Sequence, residues 1–464
     1  MKLKPLSEIP EERIFELVER MDDRGPRYTS YPTAPVWKSD LPVEYLSEEL
    51  ASLSNSDRPV AVYLHLPYCR QRCLYCGCNS FITYDSERIA SYLASLQREI
   101  SQVAAALPQP VSYEWLHLGG GTPTHLPPNA LAGLLDHLER QLPGVESAER
   151  SIEVDPRVTT PEHLQLLRER GFGRISIGLQ DLNPQVQQAI QREYSFVEMQ
   201  AFVKSCRQSG FQSINIDLIY GLPFQTRVSW LETLEQVLQL APDRLACFGY
   251  AHLPERLKHQ RLIKEENLPL SRERLGMLLD ANRFLVKQGY CAIGLDHFAL
   301  PGDKLALAQQ SGSLWRNFMG YTEIRGLEMI GFGASAISEF NTLYTQSEPN
   351  PERYRELIES GKSPLIRGHR LDHDDVIRRQ LINDLMCNLI IRIPEAADQA
   401  GVEYRAQLEN CLERLTPFCE DDLIIPLDSG GYQVTPLGQL FLRNLAMQFD
   451  RYLPDQQVTF SRTV

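Results

Sequence analysis

From residue 60 to about residue 300 a short apolar run, rich in β-branched residues, gives way to a turn and then to a stretch of helical period, and this alternation recurs. The runs are VAVYLHLP (60–67), YEWLHLGG (113–120), RSIEVDP (150–156), RISIGLQD (174–181), SINIDLIYGLP (213–223) and RLACFGYAHLP (244–254). Between them, SERIASYLASLQREISQVAAA and RVSWLETLEQVLQLAP repeat apolar residues at three- and four-residue spacing, the signature of amphipathic helices. Continuous apolar strands alternating with helices predict a parallel sheet covered on its outer face, and about six units predict a partial (β/α)6 barrel. In such folds the chemistry gathers at the carboxyl ends of the strands.

The remaining chain departs from this rhythm. A seventh run, YCAIGLDHFAL (290–300), is a candidate extension of the sheet, and 301–340, with many Gly and aromatic residues, reads as a covering segment. From about 365 helical stretches lead to DLIIPLDSGGYQVTPLGQLFLRNLAMQF, a hairpin turning at Ser429-Gly430-Gly431 and then a helix, which predicts a mainly helical, winged-helix-like domain. The division expected is an N-terminal arm or lid (1–50), a barrel with its covering segment (51–345) and a C-terminal helical domain (346–464).

Composition narrows the functions open to this fold. Residues 371–464 hold 8 Arg, no Lys and 15 Asp plus Glu, and the whole chain carries a formal charge of -13, so a nucleic-acid footprint is not expected. No run of eighteen apolar residues occurs and the first residues lack a signal-peptide core, which predicts a cytoplasmic protein with no membrane insertion. Reducing surroundings keep thiols free, so a tight group of cysteines reads as a metal site.

Such a group exists. Cys69, Cys73 and Cys76 form C-x3-C-x2-C directly after the first apolar run, and Cys78 follows in CGCN, while the other six cysteines are scattered. Three thiolates on one loop bind three irons of a cubane 4Fe-4S cluster and leave the fourth open, as redox catalysis at a cluster requires. Zinc knots commonly pair separated C-x2-C halves, which are missing here.

This loop resembles that of radical S-adenosylmethionine enzymes. More closely, the chain is similar to the oxygen-independent coproporphyrinogen III oxidase (dehydrogenase) family of haem biosynthesis. The resemblance rests on GPRYTSYPTA (25–34), CGCN (76–79), GGGTPT (119–124), IEVDPR (152–157), NIDLIYGLP (215–223), YAHLP (250–254), DHFA (296–299), GASAIS (333–338) and FSR (460–462), in order and spanning nearly all of the chain. It implies a radical S-adenosylmethionine barrel that binds a 4Fe-4S cluster through Cys69, Cys73 and Cys76; the family also has Cys78, which is left outside the ligand set because three thiolates suffice. It further implies two S-adenosylmethionine molecules, the first contacted by Tyr63, Gly120, Glu153 and Ile337. Tyr75, Gly121, Thr122, Gln180, Arg192, Asp217 and Ala251 correspond to contacts of the second, and His65 to a residue that matters for the site.

Taken without the resemblance, several of these positions have ordinary readings. Glu153 would be a solvated loop carboxylate, Arg192 a solvated helix end, and His65 a satisfied core histidine. Asp217 stands out, because an acid inside an apolar run needs a partner.

The reaction implied is the anaerobic oxidative decarboxylation of two propionates of coproporphyrinogen III to vinyl groups, giving protoporphyrinogen IX. Its partners are an electron donor such as a flavodoxin or ferredoxin, an electron acceptor, and the tetracarboxylate substrate; a monomer is expected. Arg27, Arg256, Lys258, Arg261 and Arg316 are the candidate cations for the propionates. The segment GPRYTSYPTA is expected to be an ordered arm that closes the site and can be removed without loss of the fold. The alternatives on the same fold are a haem-binding chaperone, whose members lack CGCN and the RYTSYPT arm, and a haem-related radical methyltransferase or haem-degrading enzyme.

Overall fold

Val60–Leu66 (β1) buries six of its seven side chains, as a strand enclosed on both faces must. It begins a parallel series in which every strand pairs with the next along the chain. The series is β1, Tyr113–Gly120 (β2), Gly144–Val154 (β3), Arg174–Gln180 (β4), Ser213–Tyr220 (β5) and Arg244–Gly249 (β6). The structure is a computed structural model and describes residues 4–21, 23–42, 44–55, 58–453 and 460–463.

Helices alternate with these strands: Ser86–Ala106 (α1), Pro128–Gln141 (α2), Pro161–Glu169 (α3), Pro184–Ile190 (α4), Phe196–Ser209 (α5) and Arg227–Gln239 (α6). Their starts follow capping chemistry. Asp85 accepts from the N–H groups of Glu87 and Arg88, and Thr160, Ser195 and Thr226 each close a reciprocal cap with the third helical residue. The buried stripe of α1 contains Ile89, Tyr92, Leu93, Leu96, Ile100 and, among them, Glu99. The partial (β/α)6 barrel expected from the alternation is therefore present.

The covering segment needs correction. Met329–Phe332 (β7) is a strand of the same sheet, parallel to β1 on the edge opposite β2, with Ala61 facing Met329. Ile337–Glu339 (β8) and Leu343–Ser347 (β9) continue the sheet antiparallel, and Leu365–Arg370 (β10) follows them. All four residues of β7 are buried, so it shows neither alternation nor helical period.

Compactness does not follow chain order, whereas boundaries at 50/51 and 345/346 do. Residues 39–278 and 327–368 form one compact unit, which holds the barrel; residues 1–38, 279–326 and 369–464 form the other. In this second unit the seventh run folds as an antiparallel hairpin, Cys291–Ile293 with His297–Ala299. The helices His373–Asn388 and Val402–Glu413 precede a hairpin of Ile424–Pro426 and Tyr432–Val434, with Ile390–Ile391 as its third strand. The hairpin turns where expected, Leu427 N–H donating to the Gly431 carbonyl at 3.0 Å.

The arm of the second unit is tied to the chain's other end. Gly25 N–H donates to the Ser461 carbonyl at 3.2 Å, and the buried Arg443 donates to the carbonyls of Pro26 (3.0 Å) and Arg462 (2.6 Å). Tyr28 donates its hydroxyl proton to Asp450 at 3.1 Å. Among the described residues no helix is long and apolar enough to cross a membrane.

Candidate active site

The carboxyl ends of β1, β2 and β3 converge on one group of side chains. On β1, His65 Nε2 lies 3.0 Å from the Asn79 carbonyl and Nδ1 lies 3.0 Å from the Tyr63 hydroxyl. A carbonyl can only accept, so Nε2 carries the proton and Tyr63 donates to Nδ1. Burial pushes the His65 pKa down, which keeps this ring neutral.

Across β2, Glu153 accepts from Gly120 N–H at 3.3 Å and lies 3.5 Å from His117 Nε2, while His117 Nδ1 meets Ser151 Oγ at 2.8 Å. Burial alone raises the Glu153 pKa, but the bond and charge of His117 and the Gly120 N–H outweigh it and hold the carboxyl below its ordinary value. The Glu153 side chain nevertheless keeps 45% of its surface open. It is a carboxylate held ready for a cation.

The glycine turn after β2 has a steric cause. Gly120 has φ +111°, and a Cβ there would lie 2.7 Å from the His65 ring. At Gly121 a Cβ would lie 2.7 Å from the Pro67 backbone. The N–H groups of Gly121 and Thr122 are committed to the carbonyls of Leu66 (2.8 Å) and Tyr68 (3.0 Å), so this turn clamps the cysteine loop. Thr122 Oγ1 also meets Cys69 Sγ at 3.4 Å.

The loop itself is pinned at several points. Leu74 N–H donates to the Ile190 carbonyl, Gln260 donates to the Tyr75 carbonyl at 2.9 Å, and His259 Nε2 lies 2.7 Å from the Cys76 carbonyl. Cys73 is buried, Cys69 and Cys76 are half-buried, and Cys78 is exposed. Burial pushes the Cys69 thiol up to about 11, whereas hydrogen bonding from Cys78 draws Cys76 down to about 6.

Among the described residues no three cysteine sulfurs lie within 4.8 Å of one another. A single tetrahedral zinc would hold its sulfurs about 3.8 Å apart. Three free thiols on one loop, one buried and two half-buried, are a donor set of the kind that holds a cubane cluster.

Arg192 is no solvated helix end. Its side chain is 8% exposed, Nη1 meets Asp155 at 3.1 Å and Cys73 Sγ at 3.4 Å, and Nε donates to the Gly178 carbonyl at 2.7 Å. Asp155 also binds Arg157 (2.6 Å) and the Tyr194 hydroxyl (2.8 Å), and Arg157 reaches Cys73 Sγ at 3.6 Å. Burial raises the Asp155 pKa, yet Arg192 and Arg157 overcome it and hold it at about 2. Two guanidinium groups thus face the sulfur of Cys73, a form of hydrogen bonding that tunes cluster potentials.

Asp217 has partners, as an acid within an apolar strand requires. Ser176 Oγ donates to it at 2.9 Å and Asn215 Nδ2 at 2.7 Å. Gln180, at the end of the neighbouring β4, is buried with φ +76°. Tyr75 packs against a buried apolar cluster that includes Leu74, Val186, Ile190 and Tyr250; Ala251 is exposed, and Ile337 opens β8. Asp155, Arg157, Tyr194 and His117 were not singled out from sequence. The available signal was an acid two residues beyond Glu153 in IEVDPR, at the same strand end.

The candidate propionate cations fall into different settings. Arg256 is exposed, and Arg261 pairs with Glu255 at 3.6 Å. In the second unit Arg27 pairs with the buried Asp296 at 2.9 Å and keeps 43% of its side chain open. Arg316 is buried and donates to the Arg27 carbonyl at 2.8 Å, so it anchors the arm.

A C-x3-C-x2-C loop at the end of the first strand of a six-unit barrel defines a class, and residues 63–237 match the family model described as the Radical SAM superfamily. Within that class the similarity is full-length. The oxygen-independent coproporphyrinogen III oxidase of Pseudomonas aeruginosa is 40% identical over 453 residues, 97% of this chain and 98% of that one. The protein of the same name from Escherichia coli is 39% identical over 450 residues, 97% and 98% of the two chains. The solved structure of coproporphyrinogen III oxidase (HemN) from Escherichia coli, a radical SAM enzyme, superimposes with a TM-score of 0.88 at 38% identity, covering 94% of this chain and 98% of its own. The chain belongs to the oxygen-independent coproporphyrinogen III oxidases. Membership of the radical SAM class implies a 4Fe-4S cluster and S-adenosylmethionine.

Proposed function

We propose that the chain converts two propionates of coproporphyrinogen III into vinyl groups without oxygen, giving protoporphyrinogen IX, and holds two S-adenosylmethionine molecules to do so. When bound, the cluster and S-adenosylmethionine would supply the one-electron chemistry that removes a hydrogen atom from a propionate β-carbon. Each vinyl group then forms with loss of carbon dioxide and one electron, so a donor such as a flavodoxin or ferredoxin and a separate acceptor are required.

The chain's own residues have distinct tasks in this reading. Cys69, Cys73 and Cys76 hold the cluster, with Arg157 and Arg192 donating toward the Cys73 sulfur. Glu153, kept ionised by His117 and Gly120, takes the ammonium of the first cofactor beside Tyr63, Gly120 and Ile337. Tyr75, Gly121, Thr122, Gln180, Arg192, Asp217 and Ala251 face the second. His65 stays neutral and orients Tyr63. Arg256 and Arg27 offer their open guanidinium groups to carboxylates.

The observation that carries this reading is the ionised, half-open Glu153 set beside the glycine turn that clamps the cysteine loop. Replacing a carboxylate that pairs with an ammonium removes a charge-assisted bond of about 1.5–3 kcal/mol, roughly one to two powers of ten in affinity. Glu153→Ala therefore weakens S-adenosylmethionine cleavage even without porphyrinogen. Asp217→Ala spares that uncoupled cleavage and impairs vinyl formation. The assay is anaerobic, with 5'-deoxyadenosine and vinyl products separated by chromatography. Equal loss of uncoupled cleavage in both variants rejects the two-site assignment, and haem binding without any vinyl product favours a chaperone.

A further inference from the structure

Glu99 interrupts the apolar stripe of α1, where a leucine or methionine would pack without desolvating a charge. No cation is paired with it among the described residues. Its Oε2 instead accepts the Gly333 backbone N–H at 2.8 Å and the Tyr354 hydroxyl at 2.6 Å. Tyr92, two turns earlier on α1, stands beside Tyr354 with ring centroids 5.5 Å apart. Its hydroxyl donates to the His65 carbonyl at 2.8 Å and accepts from Ala334 N–H at 2.9 Å.

Gly333 and Ala334 leave the carboxyl end of β7, where the chain turns at φ +100° and their N–H groups have no strand to pair with. Beyond them Ser335 Oγ lies 3.4 Å from His65 Nε2, and the turn delivers Ile337. A Cβ at Gly333 would lie 2.6 Å from the Tyr92 hydroxyl and 2.7 Å from the His65 carbonyl, so this turn has no room to shift toward the helix. The two successive N–H groups of the turn are therefore both taken by side chains of one helix.

We infer that Glu99 is a positioning residue: through Gly333, and together with Tyr92, it fixes the 333–337 turn and with it Ile337 and the Ser335 contact to His65 for the first S-adenosylmethionine. This rests on the assignment of Ile337 and His65 to the cofactor site made above. What the turn needs from residue 99 is an acceptor oxygen, which an amide supplies and a methyl group does not.

The test compares Glu99→Ala, Glu99→Gln and Tyr354→Phe in the full chain. Hydrogen exchange of the 329–340 peptide is read in the protein before S-adenosylmethionine is added, and uncoupled cleavage afterwards. Glu99→Ala is expected to speed exchange in that peptide about tenfold and to raise the KM for S-adenosylmethionine about tenfold, the scale of one lost bond of about 1.4 kcal/mol. Iron per chain, kcat and exchange across 213–220 stay within about twofold. Glu99→Gln restores both quantities to within about twofold of the parent.

Unchanged exchange at 329–340 overturns the inference, as does loosening spread equally over 213–220, which would mark a general core role. A Gln variant as impaired as the Ala variant also overturns it. Should Glu99→Ala not fold, Tyr354→Phe decides: local loosening at 329–340 supports the coupling and its absence rejects it. A parent protein that fails to bind S-adenosylmethionine would instead reject the cofactor assignment, and the exchange comparison would still judge Glu99.

Discussion

Single residues in this protein are set by where charge is tolerated. Glu153 and Asp155 end one strand two positions apart and both stay ionised, one through an imidazole and a backbone N–H, the other through two guanidinium groups. Glu99 has no such cation, and burial pushes its carboxyl up from 4.5 to about 7 against the opposing bonds of Tyr354 and Gly333. The consequence has a sign. Between about pH 4.5 and pH 7 the folded chain keeps a proton that the unfolded chain has released, so the contribution is full below pH 4.5 and is lost as pH rises through 7. The span corresponds to about 3 kcal/mol. The parent therefore loses thermal stability between pH 5 and pH 7.5 relative to Glu99→Gln, a difference that paired melting curves in matched buffers measure; parallel curves would contradict it. The titratable groups facing Glu99 are Tyr92 and Tyr354, both raised by burial and silent over this range.

At the scale of elements, the turn after β2 joins geometry to chemistry. Gly120→Ala places a methyl group into the His65 ring and forces an alanine to φ +111°, so it disturbs His65, Tyr63 and the Glu153 bond together. Positive φ and a buried clash together cost on the order of 1–3 kcal/mol. The variant is expected to lose at least tenfold in S-adenosylmethionine cleavage while keeping its iron, measured by iron content alongside 5'-deoxyadenosine. Full activity would mean the turn yields cheaply. The six barrel strands and α1 are legible in the sequence because each has a period or a long apolar run; the helical period of α1 spans its full extent, Ser86–Ala106. β7 was not legible, since four buried residues carry no period and their partner lies at the start of the barrel. The candidate site was legible where its motifs are local, as in the cysteine loop and the glycine turn, which the structure brings together. Arg192 was harder: its burial comes from contacts with Asp155, Gly178 and Cys73, which lie 37, 14 and 119 residues away along the chain.

For the whole molecule, the chain ends are the point at which sequence reading and structure part. The arm was expected to be removable without loss of the fold, but its backbone supplies carbonyls to the buried Arg443, and Tyr28 supplies a proton to the buried Asp450. Deleting residues 1–35 leaves that guanidinium and that carboxyl group short of hydrogen-bond partners, a cost of about 1–3 kcal/mol for each buried group left unsatisfied. The truncated chain should therefore show an early unfolding transition of the second unit by calorimetry while keeping its iron, and an unchanged melting profile would return the arm to a passive extension. The pairing of Ala61 with Met329 bears on how such a chain is made. The cysteine loop leaves the ribosome soon after β1, yet the strand that covers the free edge of β1 comes last among its neighbours. At about 5–20 residues per second, that edge stays unpaired for roughly 15–50 s of synthesis. An open strand edge is a template for wrong pairing. The cysteine loop is thus presented on a nascent sheet that is still open on one side, where wrong pairing competes with the native partner until Met329–Phe332 has been made.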